Sequence, residues 1–158
     1  MTYPVADLHC DLLSFLAVVP HADAWAKDQI ACAFPYLKEG GVSMQVMAIY
    51  TTVEPGSMTL AMRQAEIFSH LLQKEEKTVR LFDTKFLEDS AADPRIGIIA
   101  AVENAAGFGH EKATWPEMYS QFDALVKKVG RLAYISLTHH TENRFGGGNY
   151  TEGIGLKE

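Results

Sequence analysis

The sequence predicts an α/β fold in which buried parallel strands alternate with amphipathic helices. Three observations predict it. Apolar runs of strand length recur at residues 42–50, 96–102 and 132–138, too continuously hydrophobic for a sheet with one wet face. Apolar residues at helical spacing fill the intervals between them. Each strand-like run also gives way at once to ionisable residues: His9 and Asp11, then Glu103, then His139. The carboxyl ends of parallel strands are where a β/α barrel assembles its active site, so these four side chains are expected to converge.

The first element is a short strand over Tyr3-Pro4-Val5-Ala6 that runs into Asp7-Leu8-His9-Cys10-Asp11. Alternation along a strand puts Asp7, His9 and Asp11 on one face and Leu8 and Cys10 on the other. One imidazole and one carboxylate then reach the same point, a donor set suited to a divalent metal. Residues 12–40 are mixed, with a short helix expected around residues 23–32 and a stop at Gly40-Gly41. Residues 42–50 form a strand buried on both faces, broken by Pro55-Gly56-Ser57.

Met58, Ala61, Met62, Ala65, Phe68 and Leu72 then mark the core face of a helix that ends in Lys74-Glu75-Glu76-Lys77. A short extended piece over 79–82 and a helix over 84–92, closed by Asp93-Pro94, lead to the strand 96–102, which runs directly into Glu103-Asn104. Thr114-Trp115-Pro116-Glu117 is a capping-box pattern. It opens a helix with the stripe Trp115, Met118, Tyr119, Phe122, Leu125, Val126 and Val129, and Gly130 stops it. The strand 132–138 ends at His139 and His140; alternation turns His140 away from the site, as a structural or exposed residue. Beyond lies a loop over the site carrying Gly146-Gly147-Gly148 and no P-loop lysine.

At 158 residues, the chain is expected to form a single domain over 1–158. Its net charge of -6 and lack of clustered Lys and Arg exclude a nucleic-acid partner. Two cysteines outside any Cys-x-x-Cys pair give no disulfide framework, and no opening signal segment or apolar span is present, so the reading is a cytoplasmic protein without a membrane partner.

Asp7-Leu-His-Cys-Asp11, Gly40-Gly41-Val42 leading into Gln45, Val102-Glu103-Asn104-Ala105, Tyr134-Ile-Ser-Leu-Thr-His139 and Asn143-Arg-Phe-Gly-Gly-Gly148 together resemble the renal (membrane) dipeptidase family of zinc metallopeptidases. The resemblance runs the length of the chain in the right order. It implies a (β/α)8 TIM-barrel-type fold of which this chain supplies about the first four units, a half barrel. It implies that His9 and Asp11 bind one zinc, that Glu103 bridges two zincs, and that His139 is the catalytic and substrate-binding residue at the carbonyl of a small dipeptide. Members of the family are more than twice this length and take two further His ligands and an Asp from their second half. The chain is therefore expected to be an N-terminal half with little or no activity alone, and its open sheet edges favour a homo-oligomer. Two rivals stand beside this reading: an amidohydrolase-type hydrolase of cyclic amides or N-acyl compounds, and a non-catalytic half-barrel interaction module.

Overall fold

The computed structural model describes residues 4–89 and 93–149. Its strands are β1 (Val5–Cys10), β2 (Val42–Tyr50), β3 (Val79–Leu81), β4 (Ile96–Glu103) and β5 (Leu132–Ser136). All pairings are parallel, and the sheet curls into part of a (β/α) barrel. β1 pairs with β2 and β2 with β4; the far side of β4 is shared, β3 lying along its first residues and β5 along its last. The chain crosses between strands through α1 (Leu12–Val18), α2 (Phe34–Glu39), α3 (Ser57–Lys74), α4 (Thr84–Asp89) and α5 (Trp115–Val129), with a 3-10 turn at Ala105–Gly107.

The largely apolar runs of β2 and β4 follow from burial on both faces. Met47, Ile49, Ile98, Ala100 and Val102 pack outward against Leu12, Leu13, Phe34, Phe68 and Leu125 of the helical layer. The alternate residues Val46, Ile99 and Ala101 form a smaller inner cluster with Met44, Phe82 and Tyr134. Each large side chain removed from water contributes about 2 kcal/mol, so the outer cluster supplies most of the hydrophobic stabilisation. Gly97 is required where the inner face is tightest, because a Cβ there would lie 2.9 Å from both Phe82 and Phe86.

The Thr114–Glu117 capping box forms in full, and Gly130 ends α5 at φ 85°. Of the expected α5 stripe, Met118, Leu125 and Val129 are buried, whereas Trp115 and Tyr119 stand exposed. The helix expected over 23–32 does not form. Asp23 Oδ1 accepts from the Trp25 N–H, and Gln29 Oε1 accepts from the Asp23 N–H, so local side-chain bonds draw the backbone into turns. The helices of that region are α1 and α2, which bury Leu12, Leu13, Ala17, Phe34 and Leu37. β5 stops at Ser136, two residues short of the expectation, and residues 90–92 of the helix expected over 84–92 lie outside the described residues. Among the described residues, no helix is long and apolar enough to cross a membrane.

Candidate metal centre

Each site residue is delivered by the end of a strand. His9 is the penultimate residue of β1, and Asp11 follows as the N-cap of α1. An N-cap Asp ordinarily accepts a hydrogen bond from the first helical turn, but the Asp11 side chain makes none. Its Oδ1 lies 3.7 Å from His9 Nε2 instead. Glu103 closes β4 in register with Tyr50 of β2 and Ser136 of β5. His139 follows three residues after β5 ends.

His9 Nε2 is 3.3 Å from Glu103 Oε2, while His139 Nε2 is 3.2 Å from Glu103 Oε1. One carboxylate thus faces two histidines, one from each oxygen. Donor atoms of His9, Asp11 and Glu103 all lie within 4.8 Å of one another. Their side chains are 42%, 59% and 16% exposed, so the largely buried member is the one between the histidines and the outer two are open to an arriving ion. Among the described residues, no Lys or Arg forms an ion pair with Asp11 or Glu103. Burial, and then the Glu103 charge, push the Tyr50 and Tyr134 hydroxyls above their ordinary range, which keeps both phenols protonated around the site.

Asp11, Ser14, Tyr50, Glu103, His139 and His140 line a cleft of about 390 Å³. His140 is exposed, as expected, but it lines the cleft and does not turn away from the site as strand alternation suggested. The strand has already ended, and the two imidazoles sit 3.9 Å apart, with His140 Nδ1 at 2.9 Å from Asn149 Oδ1. Asp7, expected on the site face, accepts from the backbone N–H of His9. The Gly-rich loop folds back on the histidines: a Cβ on Gly148 would fall within 2.5 Å of the His139 and His140 backbone.

Two asparagines hold this end of the barrel together. Asn104 turns the chain directly after Glu103 at φ 74°, a conformation that costs a non-glycine residue about 1 kcal/mol or more. Its side chain donates to the Thr51 carbonyl at 2.9 Å and accepts from the Ala106 N–H at 3.2 Å. Asn143, from the loop after β5, donates to Asn104 Oδ1 at 2.8 Å and to the Leu137 carbonyl at 2.7 Å, and accepts from the Phe145 N–H. Arg144 donates to the His110 and Ala113 carbonyls and lies over the Trp115 ring. Both loop residues are therefore engaged in holding backbone. No site role was expected of Tyr50, Tyr134 or Asn104, although Asn104 and Tyr134 lie within the stretches that carry the family resemblance.

The family profile described as membrane dipeptidase, peptidase family M19, matches residues 1–153. The chain belongs to this family. Among solved structures, the M19 chain resembles dipeptidase AC, a metallopeptidase of the same family, with a TM-score of 0.65 and 21% identity over 93% of this chain and 46% of that one. It also resembles the probable dipeptidase PvdM from Pseudomonas aeruginosa, with a TM-score of 0.60 and 12% identity over 90% of this chain and 36% of that one. At those identities, the likeness shows a shared fold. The chain spans less than half the length of either structure. No curated protein matches the sequence.

Proposed function

We propose that this M19 chain carries the metal-binding part of a dipeptidase active site, with His9, Asp11 and Glu103 as ligands and His139 facing the scissile carbonyl. The observation that carries the reading is the convergence of one imidazole and two carboxylates within 4.8 Å at the carboxyl ends of parallel strands. The donor set fits a divalent ion: two carboxylates this close repel one another, and no Lys or Arg among the described residues compensates them. Mixed nitrogen and oxygen donors suit zinc, and three protein ligands leave a position open. Glu103, with one oxygen toward His9 and the other toward His139, would be a ligand in a complete site as well, where a second ion would add to the activation of water.

When bound, the metal supplies an activated water and polarises the peptide carbonyl. The residues of the chain do the rest. Glu103 and Asp11 hold negative charge at the strand ends, and the Tyr50 ring packs edge-on against His139 at 5.0 Å, which orients the imidazole over the cleft. From there, His139 donates a hydrogen bond to the carbonyl oxygen of the substrate as that oxygen gains charge. A cleft of about 390 Å³ accommodates a ligand of dipeptide size.

The described residues offer ligands for one ion, so the 158-residue chain alone is expected to hydrolyse dipeptides weakly or not at all. Val5, Leu8 and Ile135 on the outer strands are exposed, which supports association of the chain with a second copy, measurable by light scattering. The decisive experiment is metal content by plasma emission spectroscopy on protein purified without chelator. About one zinc per chain, lost in the double variant His9→Ala, Asp11→Ala, is expected. A wild-type chain that takes up no zinc on titration refutes the site.

A further inference from the structure

The strongest unassigned feature of the site is a phenol that reaches across the concave face of the sheet. Tyr134 belongs to β5 and His9 to β1, strands at opposite ends of the sheet and 125 positions apart in sequence. The Tyr134 ring packs against Val46, Ile99 and Ala101, and this fixes where its hydroxyl falls. That oxygen lies 2.8 Å from His9 Nδ1 and 3.0 Å from the Leu8 carbonyl oxygen.

A phenol has one proton to give and lone pairs to receive one. The Leu8 carbonyl can only accept, so the Tyr134 hydroxyl donates to it. The contact with Nδ1 is then satisfied in one way, by an N–H on Nδ1 donating to the phenol oxygen. A neutral imidazole carries a single ring proton, so Nε2 is left with its lone pair exposed. Nε2 is the atom that points at Glu103 Oε2 and Asp11 Oδ1.

We propose that Tyr134 is a positioning residue that fixes His9 in the Nδ1–H tautomer and so presents a bare Nε2 to the metal. The inference rests on the reading of His9 as a ligand, and it adds the group that prepares it. In water, a histidine ring favours the opposite tautomer, with the proton on Nε2, where it blocks coordination. Anchoring the phenol on the carbonyl of Leu8, the residue before the ligand, also ties the ring orientation to the backbone that carries it. A hydrogen-bond partner behind a metal-ligating histidine is worth about 10- to 100-fold in metal affinity.

The test uses the full chain and Tyr134→Phe, which keeps the ring and its packing and removes the hydroxyl. Heteronuclear NMR of the ring nitrogens, on metal-free protein at mildly alkaline pH, reads the tautomer of His9, with its signals assigned by their loss in His9→Ala. Competition against a chromophoric chelator reads the affinity for Zn²⁺. The expected result is an Nδ1–H tautomer in the wild type, a shift toward Nε2–H in Tyr134→Phe, and a fall in zinc affinity of about 10- to 100-fold. Wild-type His9 with its proton on Nε2 overturns the proposal, as does a Tyr134→Phe protein with unchanged tautomer and affinity. Because the tautomer is read without metal, an Nδ1–H His9 that Tyr134→Phe alters, in a chain that takes up no zinc, upholds the hydrogen-bond relay and refutes the metal reading alone.

Discussion

Replacing Asn143 with Ala tests whether the loop behind His139 is held by the buried amide network or by the rest of the fold. Asn143 is 1% exposed and makes three hydrogen bonds, to Asn104 Oδ1, the Leu137 carbonyl and the Phe145 N–H. At about 1 kcal/mol net for each, Asn143→Ala loses roughly 3 kcal/mol, a figure that entry of water into the gap lowers. With a urea m-value of about 2 kcal/mol per molar, the unfolding midpoint falls by roughly 1.5 M with the slope unchanged. Asn143→Asp sharpens the test. The new carboxylate can still accept from Phe145 N–H but has no proton for the two oxygens at 2.7 and 2.8 Å. Those oxygens raise its folded pKa above the unfolded value of about 3.9, so the loss is complete above the folded pKa and fades as pH falls toward the unfolded one. A loss below about 1 kcal/mol for Asn143→Ala, or an Asn143→Asp stability that does not recover in acid, refutes the account of the network.

Two further outcomes follow from groups away from the loop. Asp93 accepts from Arg95 and Arg80 at the opposite end of the sheet from Glu103, and these guanidinium groups, Arg95 first, hold its carboxyl well below the usual range. A depressed folded pKa gives stability that is present above the unfolded pKa of about 3.9 and lost as pH falls. Asp93→Asn should therefore cost about 1–2 kcal/mol at neutral pH, with the two denaturation midpoints converging in acid; a gap independent of pH refutes the pairing. Cys10 is buried, and a hydrogen bond with Cys32 followed by that burial pushes its thiol far up, while the same bond lowers Cys32. Iodoacetamide should alkylate Cys32 in the folded protein and reach Cys10 only on unfolding, as read by peptide mass spectrometry; equal rates refute it.

The strands were legible because burial on both faces leaves a clear mark: residues 42–50 are apolar but for Ser43 and Gln45, residues 96–102 carry no polar side chain, and both are strands within a residue of those limits. The convergence of His9, Asp11 and Glu103 was legible because each stands at or just beyond the end of a parallel strand, and those ends meet on one side of the sheet. The region between β1 and β2 was not legible. Its helices are short, and Asp23 and Gln29 redirect the backbone through side-chain bonds that periodicity does not register. His140 was misplaced because strand alternation was extended past Ser136, where the strand ends. Tyr134 opens one of the stretches that carry the family resemblance, but the reach of its hydroxyl to His9 shows only when β1 and β5 face each other, which is a property of the curled sheet.

Two departures from local rules lie beside the proposed ligands. Asp11 stands at a helix N-cap without capping it, forgoing about 1 kcal/mol, and its carboxylate points at His9. Asn104 adopts a positive φ that disfavours any side chain, and this turn is what lets β4 end on Glu103 with the carboxylate between two histidines. The second departure is held by neighbours: Gln64 of α3 takes both backbone groups of Tyr50, the register partner of Glu103, and Asn143 secures Asn104. A structural end to a barrel has no reason to accept uncapped helices, positive φ and facing carboxylates together. The cation proposed for this site would be attracted by the facing carboxylates of Asp11 and Glu103, whose mutual repulsion the fold otherwise has to bear.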